Sequence, residues 1–352
     1  MVEWLAGNRL RGTTAERPNL GLPSGSVGGW VEVGRTTLGS AGDTIDVSSL
    51  PDKRYYMVLG HSLPTGQARM QFRLNSDSGS NYAYRASVDG GSDTTAGSAV
   101  RIINGYGSTS LPQFSVAYLS NLSSKEKLFM SHTVSQGTAG AGTAPNRQEN
   151  VDKWANTSSV ISSIQGSNDL SGDFNTNSEV VVLGWDPADT HTTNFWEELA
   201  SVELTSAGEV ISSGTITAKK YLWVQGFVKT TSQMSVEAQF NNDTGNNYSR
   251  RRSDNGGAES IQTNVTSGVL EPNTTNNVFF SFFVVNNSSN EKLGLGHNIG
   301  QNTAGAGTAP KRTETAFKWT NTSSQITEID MVTYLGTNPF LSGSTLKVWG
   351  SD

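Results

Sequence analysis

Short runs of alternating apolar and polar residues recur along the chain, separated by turns rich in Gly, Asn, Asp and Ser. Examples are KLFMSHTV at residues 127–134 and TLKVW at residues 345–349. A period of two places successive side chains on opposite faces of a strand, so these runs predict half-buried β-strands. No stretch shows a convincing helical period over 11 or more residues; residues 157–164 come nearest, and they fit a strand as well.

The predicted strands are short and numerous in both halves of the chain. In the first half they are residues 30–35, 54–61, 69–74, 82–88, 99–103, 113–119, 127–133 and 179–184. In the second half they include residues 221–228, 235–240, 278–285, 292–297 and 345–349. This pattern predicts an all-β protein built from antiparallel sandwiches. A jelly roll is preferred because two packed sheets protect strand edges; an immunoglobulin-like sandwich, which has about 100 residues, is the alternative.

The second half of the chain repeats the first. The segment HTVSQGTAGAGTAPNRQENVDKWANTSSVISSI begins at His132 and aligns without a gap with HNIGQNTAGAGTAPKRTETAFKWTNTSSQITEI, which begins at His297. A repeat of roughly 160 residues is the size of a domain. We therefore predict an extended N-terminal arm over residues 1–28, β-sandwich modules over residues 29–185 and 195–352, and a linker over residues 186–194. A disordered tail is the alternative for residues 1–28; Trp4 favours an arm that lies on the first module or on a neighbouring subunit.

Composition narrows the classes of function. The chain has 352 residues, a formal net charge of -6 and no cysteine, which excludes disulfides and thiolate metal sites. The acidic balance, with only the short basic run Arg250–Arg251–Arg252, argues against a surface for duplex nucleic acid. The longest apolar run, residues 278–285, is too short to span a bilayer, and the N-terminus lacks the apolar core of a secretory signal. We expect no nucleic-acid partner and no membrane insertion.

Two related loops, NSDSGSNY and NNDTGNNY, carry the sharpest polar motif. Asp77 and Gly79 in the first copy match Asp243 and Gly245 in the second. Asn and Asp beside Gly favour a tight hairpin turn with positive φ. The alternatives are an oxygen-ligated Ca²⁺ loop and a polar contact with a glycan or partner, although one carboxylate per loop is few for Ca²⁺.

The octapeptide TAGAGTAP occurs unchanged in both copies, at residues 138–145 and 303–310. It lacks the Lys-Ser/Thr pair of a phosphate-binding loop and has a proline where a helix should begin. Small uncharged residues instead predict a long loop whose backbone packs closely within the chain or against another subunit.

Ionisable residues recur at equivalent places in the two copies, as His132 and His297, Arg147 and Arg312, Glu149 and Glu314, and Lys153 and Lys318. Their positions in strands or flanking turns predict cross-strand ion pairs and hydrogen bonds rather than an acid–base site. His61 and His191 have no counterparts, so a multi-histidine metal site is not expected. We predict no catalytic, cofactor-binding or metal-binding residues.

Four of the tryptophans are paired across the two copies, and two near the module ends are not. Trp30 matches Trp196 and Trp154 matches Trp319, which predicts that they pack in cores. Trp185 and Trp349 lie one position out of register and are predicted to be partly exposed, where their rings could stack on sugars.

Several phrases resemble virion structural proteins of tailed bacteriophages, especially those of marine cyanophages. They are EWLAGNRLRGTTAERP, VGRTTLGSAGDTIDVSSLPDKRYYMVL, FNNDTGNNYSRRRSDNGG and GSTLKVWG, and the resemblance covers most of the chain. It implies a β-rich accessory component of the particle, such as a head-decoration protein, a head fibre or a tail-associated protein. It carries over no catalytic residues and no cofactor, and it does not choose between head and tail.

We therefore expect a non-enzymatic structural protein located in the virion, decorating or stabilising the capsid exterior. Duplication gives one chain two similar surfaces, which suits a protein that bridges repeated sites. The arm is expected to dock on the major capsid protein, another virion protein or a neighbouring copy in a homo-oligomer. The candidate contact residues are Trp4, Leu5, Arg9, Leu10 and Arg11.

Two further hypotheses come from other classes of protein. The first is a tail- or fibre-associated protein that binds a host-surface glycan during adsorption. The second is an enzyme such as a depolymerase, which would need two carboxylates about 5–10 Å apart. Sandwich folds host all three functions, so the fold alone does not choose among them.

Overall fold

The computed structural model describes residues 29–102, 104–105, 110–187, 189, 193–231, 233–303, 305–333 and 338–352. These residues form strands and turns without a helix, which confirms the all-β prediction. No helix long and apolar enough to cross a membrane occurs among them. The arm residues Trp4, Leu5, Arg9, Leu10 and Arg11 lie outside the described residues, as does His191.

The first module is an antiparallel sandwich of a large and a small sheet. Its strands are β1 (Val31–Thr37), β2 (Thr44–Val47), β3 (Tyr55–Ser62), β4 (Gln71–Leu74), β5 (Tyr82–Val88), β6 (Thr94–Ala99), β7 (Gln113–Ser120), β8 (Lys127–Ser135), β9 (Asn146–Trp154), β10 (Ile164–Ser167) and β11 (Glu179–Trp185). In the described residues the large sheet has the order β1-β11-β3-β7-β8-β9-β5-β6, and the small sheet has the order β2-β10-β4.

The second module repeats this architecture. Its strands are β12 (Glu197–Glu203), β13 (Val210–Ser212), β14 (Tyr221–Val228), β15 (Met234–Phe240), β16 (Tyr248–Asp254), β17 (Ser260–Val265), β18 (Gly268–Thr274), β19 (Val278–Val285), β20 (Lys292–Gly300), β21 (Lys311–Trp319), β22 (Ile329–Thr333) and β23 (Thr345–Ser351). Within the described residues the large sheet has the order β12-β23-β14-β19-β20-β21-β16-β17, and the small sheet has the order β13-β22-β15-β18.

The register of the large sheets repeats together with the strand order. Tyr55 lies opposite Ser120 between β3 and β7, and its counterpart Tyr221 lies opposite Val285 between β14 and β19. The first and last strands of each module, β1 with β11 and β12 with β23, are also paired in the same way. The predicted tandem duplication of two β-sandwich modules is therefore confirmed.

Each large sheet buries apolar side chains on both of its faces. In β11, Val180 and Val182 point into the core of the first module, whereas Val181 and Leu183 join a separate apolar cluster shared with the second module. A strand buried on both faces reads as a continuous apolar run, which explains the sequence VVVL. The module cores themselves are closed by the predicted tryptophans, Trp154 in the first and Trp319 in the second.

Two local predictions in the first module are wrong. The strand placed at residues 99–103 lies earlier, at Thr94–Ala99, where Ser98 adopts a positive φ of 53° near its end. Residues 157–163 form neither helix nor strand, because side-chain amides supply their hydrogen-bond partners. The Asn75 side chain accepts from the Ser162 amide at 2.7 Å, and the Asn121 side chain accepts from the Ile161 amide at 2.8 Å.

The Asp77 and Asp243 loops are not hairpins between paired strands. The first loop joins β4 of the small sheet to β5 of the large sheet, with positive φ at Asn75 and Ser76. Its Asp77 carboxylate accepts hydrogen bonds from the Gly79 amide at 2.8 Å, from Asn81 Nδ2 at 2.9 Å and from Trp154 Nε1 at 2.7 Å. The carboxylate thus ties the loop to a core tryptophan and connects the two sheets.

The same three contacts recur around Asp243, whose carboxylate accepts from Gly245, Asn247 and Trp319 at 2.9, 2.9 and 2.7 Å. These hydrogen bonds, working against burial, hold the pKa of Asp243 below its usual value. Three donors converge on this oxygen pair, whereas a Ca²⁺ loop gathers several oxygens around the ion. The geometry therefore favours a structural role for the motif over the cation alternative.

We expect replacement of Asp243 by Ala to lower the free energy of unfolding by about 1–3 kcal/mol, since the Trp319 and Gly245 donors lose their acceptor. Asp243→Asn keeps one oxygen and should lose less. Calorimetric unfolding of both variants with and without CaCl₂ provides the measurement. A Ca²⁺-dependent rise in wild-type stability that disappears in Asp243→Ala would contradict the structural assignment.

Candidate functional site

The outer face of each large sheet, opposite its small sheet, carries two surfaces that can bind a partner. One of them, called here the tyrosine end, is formed in the second module by Tyr221 of β14, Leu293 and Leu295 of β20, and Ala316 and Lys318 of β21. The equivalent positions in the first module are Tyr55 of β3, Leu128 and Met130 of β8, and Val151 and Lys153 of β9.

The other surface, called here the loop end, lies where the β8–β9 connection leaves the sheet. In the first module it consists of Phe114, Val134 and the TAGAGTAP loop at residues 138–145. In the second module the equivalents are Phe279, Ile299 and the loop at residues 303–310.

The loop end of the first module covers the tyrosine end of the second. The Phe114 ring stacks on Tyr221 with a centroid distance of 6.1 Å. Both residues belong to an apolar cluster that also contains Val134, Leu293 and Leu295. The large sheets of the two modules therefore pack through their outer faces, and the chain forms one junction from unlike surfaces of like modules.

The loop at residues 138–145 binds the second module mostly through its backbone. The Gly140 amide donates to Glu291 Oε1 at 2.5 Å, and Arg251 Nε donates to the Pro145 carbonyl at 2.8 Å. The Asn264 amide donates to the Ala141 carbonyl at 2.9 Å. This is the close backbone packing that the composition of the loop predicts.

Lys318 is the buried cation at the centre of this contact. Its Nζ donates to the Gln136 carbonyl at 3.0 Å and to the Thr138 carbonyl, and lies 3.6 Å from Glu291. Burial lowers the pKa of Lys318, and the Glu291 carboxylate opposes that shift. The charge is thus compensated by carbonyl dipoles from one module and a carboxylate from the other.

Arg147 joins the modules electrostatically. Its guanidinium lies 2.9 Å from Glu259 and 3.0 Å from Glu314 of the second module, and it also contacts Glu149 of its own strand. Burial and the nearby Glu314 carboxylate raise the pKa of Glu149 to about 7, although Arg147 opposes the shift. A buried arginine shared by three carboxylates is costly to remove on its own, because the carboxylates stay buried.

His132, Glu149 and His297 lie together at the junction, with potential ligand atoms within 4.8 Å of one another. The two imidazole rings meet edge to face at 4.2 Å. Burial lowers the pKa of both histidines, with the Arg147 charge acting in the same direction. Neutral imidazoles can ligate a metal ion, but Glu149 already pairs with Arg147, so the cluster is better matched to holding the modules together.

The tyrosine end of the first module has no module covering it and forms an apolar groove of about 840 Å³. Tyr55 stacks on Trp185 at 5.4 Å within the groove. Its floor and walls include Tyr118, Leu128, Met130 and Val151. The groove is a surface on which an apolar partner or a sugar ring could bind.

The prediction that Trp185 and Trp349 are both partly exposed holds for only one of them. Trp185 is half-buried in the groove, whereas Trp349 is buried in the cluster between the modules, 5.7 Å from Trp223. Strand pairing shows that Trp185 corresponds to Ser351 and Trp349 to Leu183, a shift of two positions along equivalent strands rather than one. Both rings therefore lie on the outer face of a large sheet, but only Trp185 is available to a ligand.

Sequence reasoning did not find the groove or the role of Glu259. A signal for the groove was present in β8, where Leu128, Phe129 and Met130 are consecutive apolar residues and Phe129 alone faces the module core. A run that is apolar on both faces indicates a strand that is covered on both sides, or one whose exposed apolar face is an interaction surface.

Comparisons with known proteins give no information on the function of this chain. No family model matches the chain, and no curated protein matches it. Among solved structures, mouse laminin α1 domains LG4-5 share 7% identity over 91% of this chain and 90% of that chain, with a TM-score of 0.16. The attachment invasion locus protein Ail of Yersinia pestis, in complex with sucrose octasulfate, shares 6% identity over 81% of this chain and 100% of that chain, with a TM-score of 0.13. Such scores carry no argument about function.

We expect Arg147→Ala to lower the free energy of unfolding by up to about 3 kcal/mol, the lower end of the range for breaking a buried ion pair. The carboxylates Glu259 and Glu314 lose their shared cation, while Glu259 keeps Arg251 at 2.6 Å. The matched control is Arg312→Ala. Arg312 is the equivalent residue of the second module; it is exposed and lies 3.3 Å from Glu314. It should cost about 0–1 kcal/mol. Unfolding in dilute solution measures both variants, and equal losses would show that Arg147 does not hold the junction.

Proposed function

We propose that this chain is a non-enzymatic structural protein of a tailed-phage virion, attached to the capsid exterior through its N-terminal arm. The resemblance of its sequence phrases to virion proteins supports the proposal that the chain is a component of the phage particle. The supporting structural observation is the exposed apolar outer face of the first module, with Tyr55, Leu128, Met130 and Val151 side by side. Contiguous exposed apolar surface is typical of protein interaction sites.

The module junction supports the same proposal. The ionisable groups that could serve acid–base chemistry, His132, Glu149 and His297, lie together between the modules, and Glu149 pairs with Arg147. A rigid block of two sandwiches suits mechanical reinforcement, because a large interface suppresses motion between domains.

Deletion of residues 2–28 is expected to abolish incorporation into particles while leaving both modules folded, because the arm supplies the capsid contact. Purified particles grown with wild-type or truncated protein are compared by quantitative mass spectrometry and cryo-electron microscopy. An arm with the same composition but scrambled order is the control for length and charge, and it should also fail. Normal occupancy by the truncated protein would refute attachment through the arm.

Adsorption to a host-surface glycan is the second candidate function, and the aromatic groove favours it. The stacked rings of Tyr55 and Trp185, with Tyr118 nearby, offer flat apolar faces of the kind that pack against sugars.

For that candidate, Trp185→Ala is expected to weaken binding of purified host polysaccharide at least about tenfold, as loss of one aromatic contact worth more than about 1.4 kcal/mol implies. Calorimetric titration measures the affinity, and Val210→Ala on the small sheet of the second module is the control. Absence of binding by the wild-type protein, or equal affinity of the two variants, would eliminate the candidate.

A further inference from the structure

Each module has a loop end and a tyrosine end, and the junction between the modules uses only one of these two surfaces on each module. It joins the loop end of the first module to the tyrosine end of the second. Within the part of the chain that the structure describes, the tyrosine end of the first module and the loop end of the second stay uncovered. An interface between unlike surfaces of like units can repeat, and it generates a ring or a filament.

The uncovered tyrosine end of the first module carries apolar residues at the same positions as the covered tyrosine end of the second module. Tyr55 is 38% exposed, whereas its counterpart Tyr221 is 1% exposed. Leu128, Met130 and Val151 are exposed in the same way, and their counterparts are the buried residues Leu293, Leu295 and Ala316. The groove therefore matches, in position and in residue type, the tyrosine end of the second module, which the loop end of the first module covers.

The uncovered loop end shows the complementary exposure. Phe279 is 44% exposed, whereas its counterpart Phe114 is 1% exposed and stacks on Tyr221. Ile299 and Phe227 are exposed as well, and their counterparts Val134 and His61 are buried. The ring that would occupy the position of Phe114 over Tyr55 is thus present on the second module.

The polar contacts of the junction also have counterparts. The TAGAGTAP sequence is identical at residues 303–310. Its described residues, 303 and 305–310, are exposed and carry the same backbone carbonyls and amides as the first loop. On the first module, Lys153 and Glu126 form an exposed pair at 2.9 Å in the places of Lys318 and Glu291. Arg85 likewise occupies the place of Arg251 and is exposed.

Of the two carboxylates that Arg147 contacts in the second module, one has a free counterpart in the first module. The counterpart of Glu314 is Glu149, which already pairs with Arg147 of its own chain. Arg312, the exposed equivalent of Arg147, would face Asp93, which stands in the place of Glu259 and is exposed beside Arg85. One hydroxyl contact is lost, since Ala83 replaces Ser249, whose Oγ donates to the Thr143 carbonyl at 2.9 Å. The contact between chains also lacks the effective concentration that a linker provides. We infer a concentration-dependent association rather than a permanent one.

We propose that copies of this chain associate head to tail, the loop end of the second module of one copy binding the tyrosine end of the first module of the next. Phe279 stacks on Tyr55 of the neighbouring copy, and the loop at residues 303–310 lies across Lys153 and Glu126. This association goes beyond the proposed virion role and does not depend on it.

The test uses two full-length variants that each disable one surface. Leu128→Asp places a charge in the tyrosine end, Ile299→Asp places one in the loop end, and Val210→Asp is a control on an exposed apolar residue elsewhere. Sedimentation velocity over a range of concentrations should show oligomers of the wild type and of Val210→Asp, and monomers of each of the other two variants. Mixed one to one, Leu128→Asp and Ile299→Asp should form a heterodimer, through the one intact surface on each.

Cross-linking gives a measurement that does not require disabling the interface. The chain has no cysteine, so Ala83→Cys with Thr308→Cys introduces the only thiols. These positions match Ser249 and Thr143, which meet across the junction. A short bismaleimide should produce a ladder of covalent oligomers, whereas Val210→Cys with Thr308→Cys should not.

Several results would overturn the proposal. These are a wild type that stays monomeric at high concentration without a ladder, and a mixture of the two variants that stays monomeric. A dimer of the wild type that does not grow further would indicate a symmetric interface instead. A monomeric wild type that associates only after deletion of residues 2–28 would show that the arm occupies the groove.

Discussion

The packing of the two large sheets through their outer faces is the constraint on which the rest of the structure depends. Each sandwich closes its own core on the inner face, and a sandwich on its own would leave the outer face to water. Here Phe114 and Val134 of one module lie against Tyr221 and Leu293 of the other, so part of each large sheet becomes a central layer. That arrangement explains why β11 is apolar on both faces and why Trp349 is buried.

Burial of Arg147 and Lys318 at this junction gives it geometric specificity. A purely apolar contact between two twisted sheets could slide by one residue pair with little cost. A guanidinium that must reach Glu259 and Glu314, and an ammonium that must reach the Gln136 carbonyl, fit in one register only. Breaking such pairs is costly because the charges stay desolvated, and wrong registers are therefore disfavoured.

Much of the fold could be predicted from the sequence, and the reason is the period of its apolar residues. Apolar patterns, alternating or continuous, located β3, β5, β7, β8 and β11 to within about two residues, and the internal repeat located both modules. Short strands such as Thr44–Val47 escaped because four residues give too little pattern. The connection at residues 157–163 misled because Asn75 and Asn121, distant in sequence, supply its hydrogen bonds. The junction could not be predicted, since pattern shows that a face is apolar and does not show what covers it.

The repeated sequence nevertheless contains information about the junction when the two copies are compared position by position. Tyr55 and Tyr221 are identical and Leu128 and Leu293 are identical, yet one member of each pair is exposed and the other buried. If the junction within the chain were the only contact, the positions that stay exposed could carry polar residues, which would lower the risk of association between chains. The free positions carry Tyr55, Leu128, Phe279 and Ile299 instead. These apolar residues at the free positions are the physical basis of the head-to-tail association proposed above.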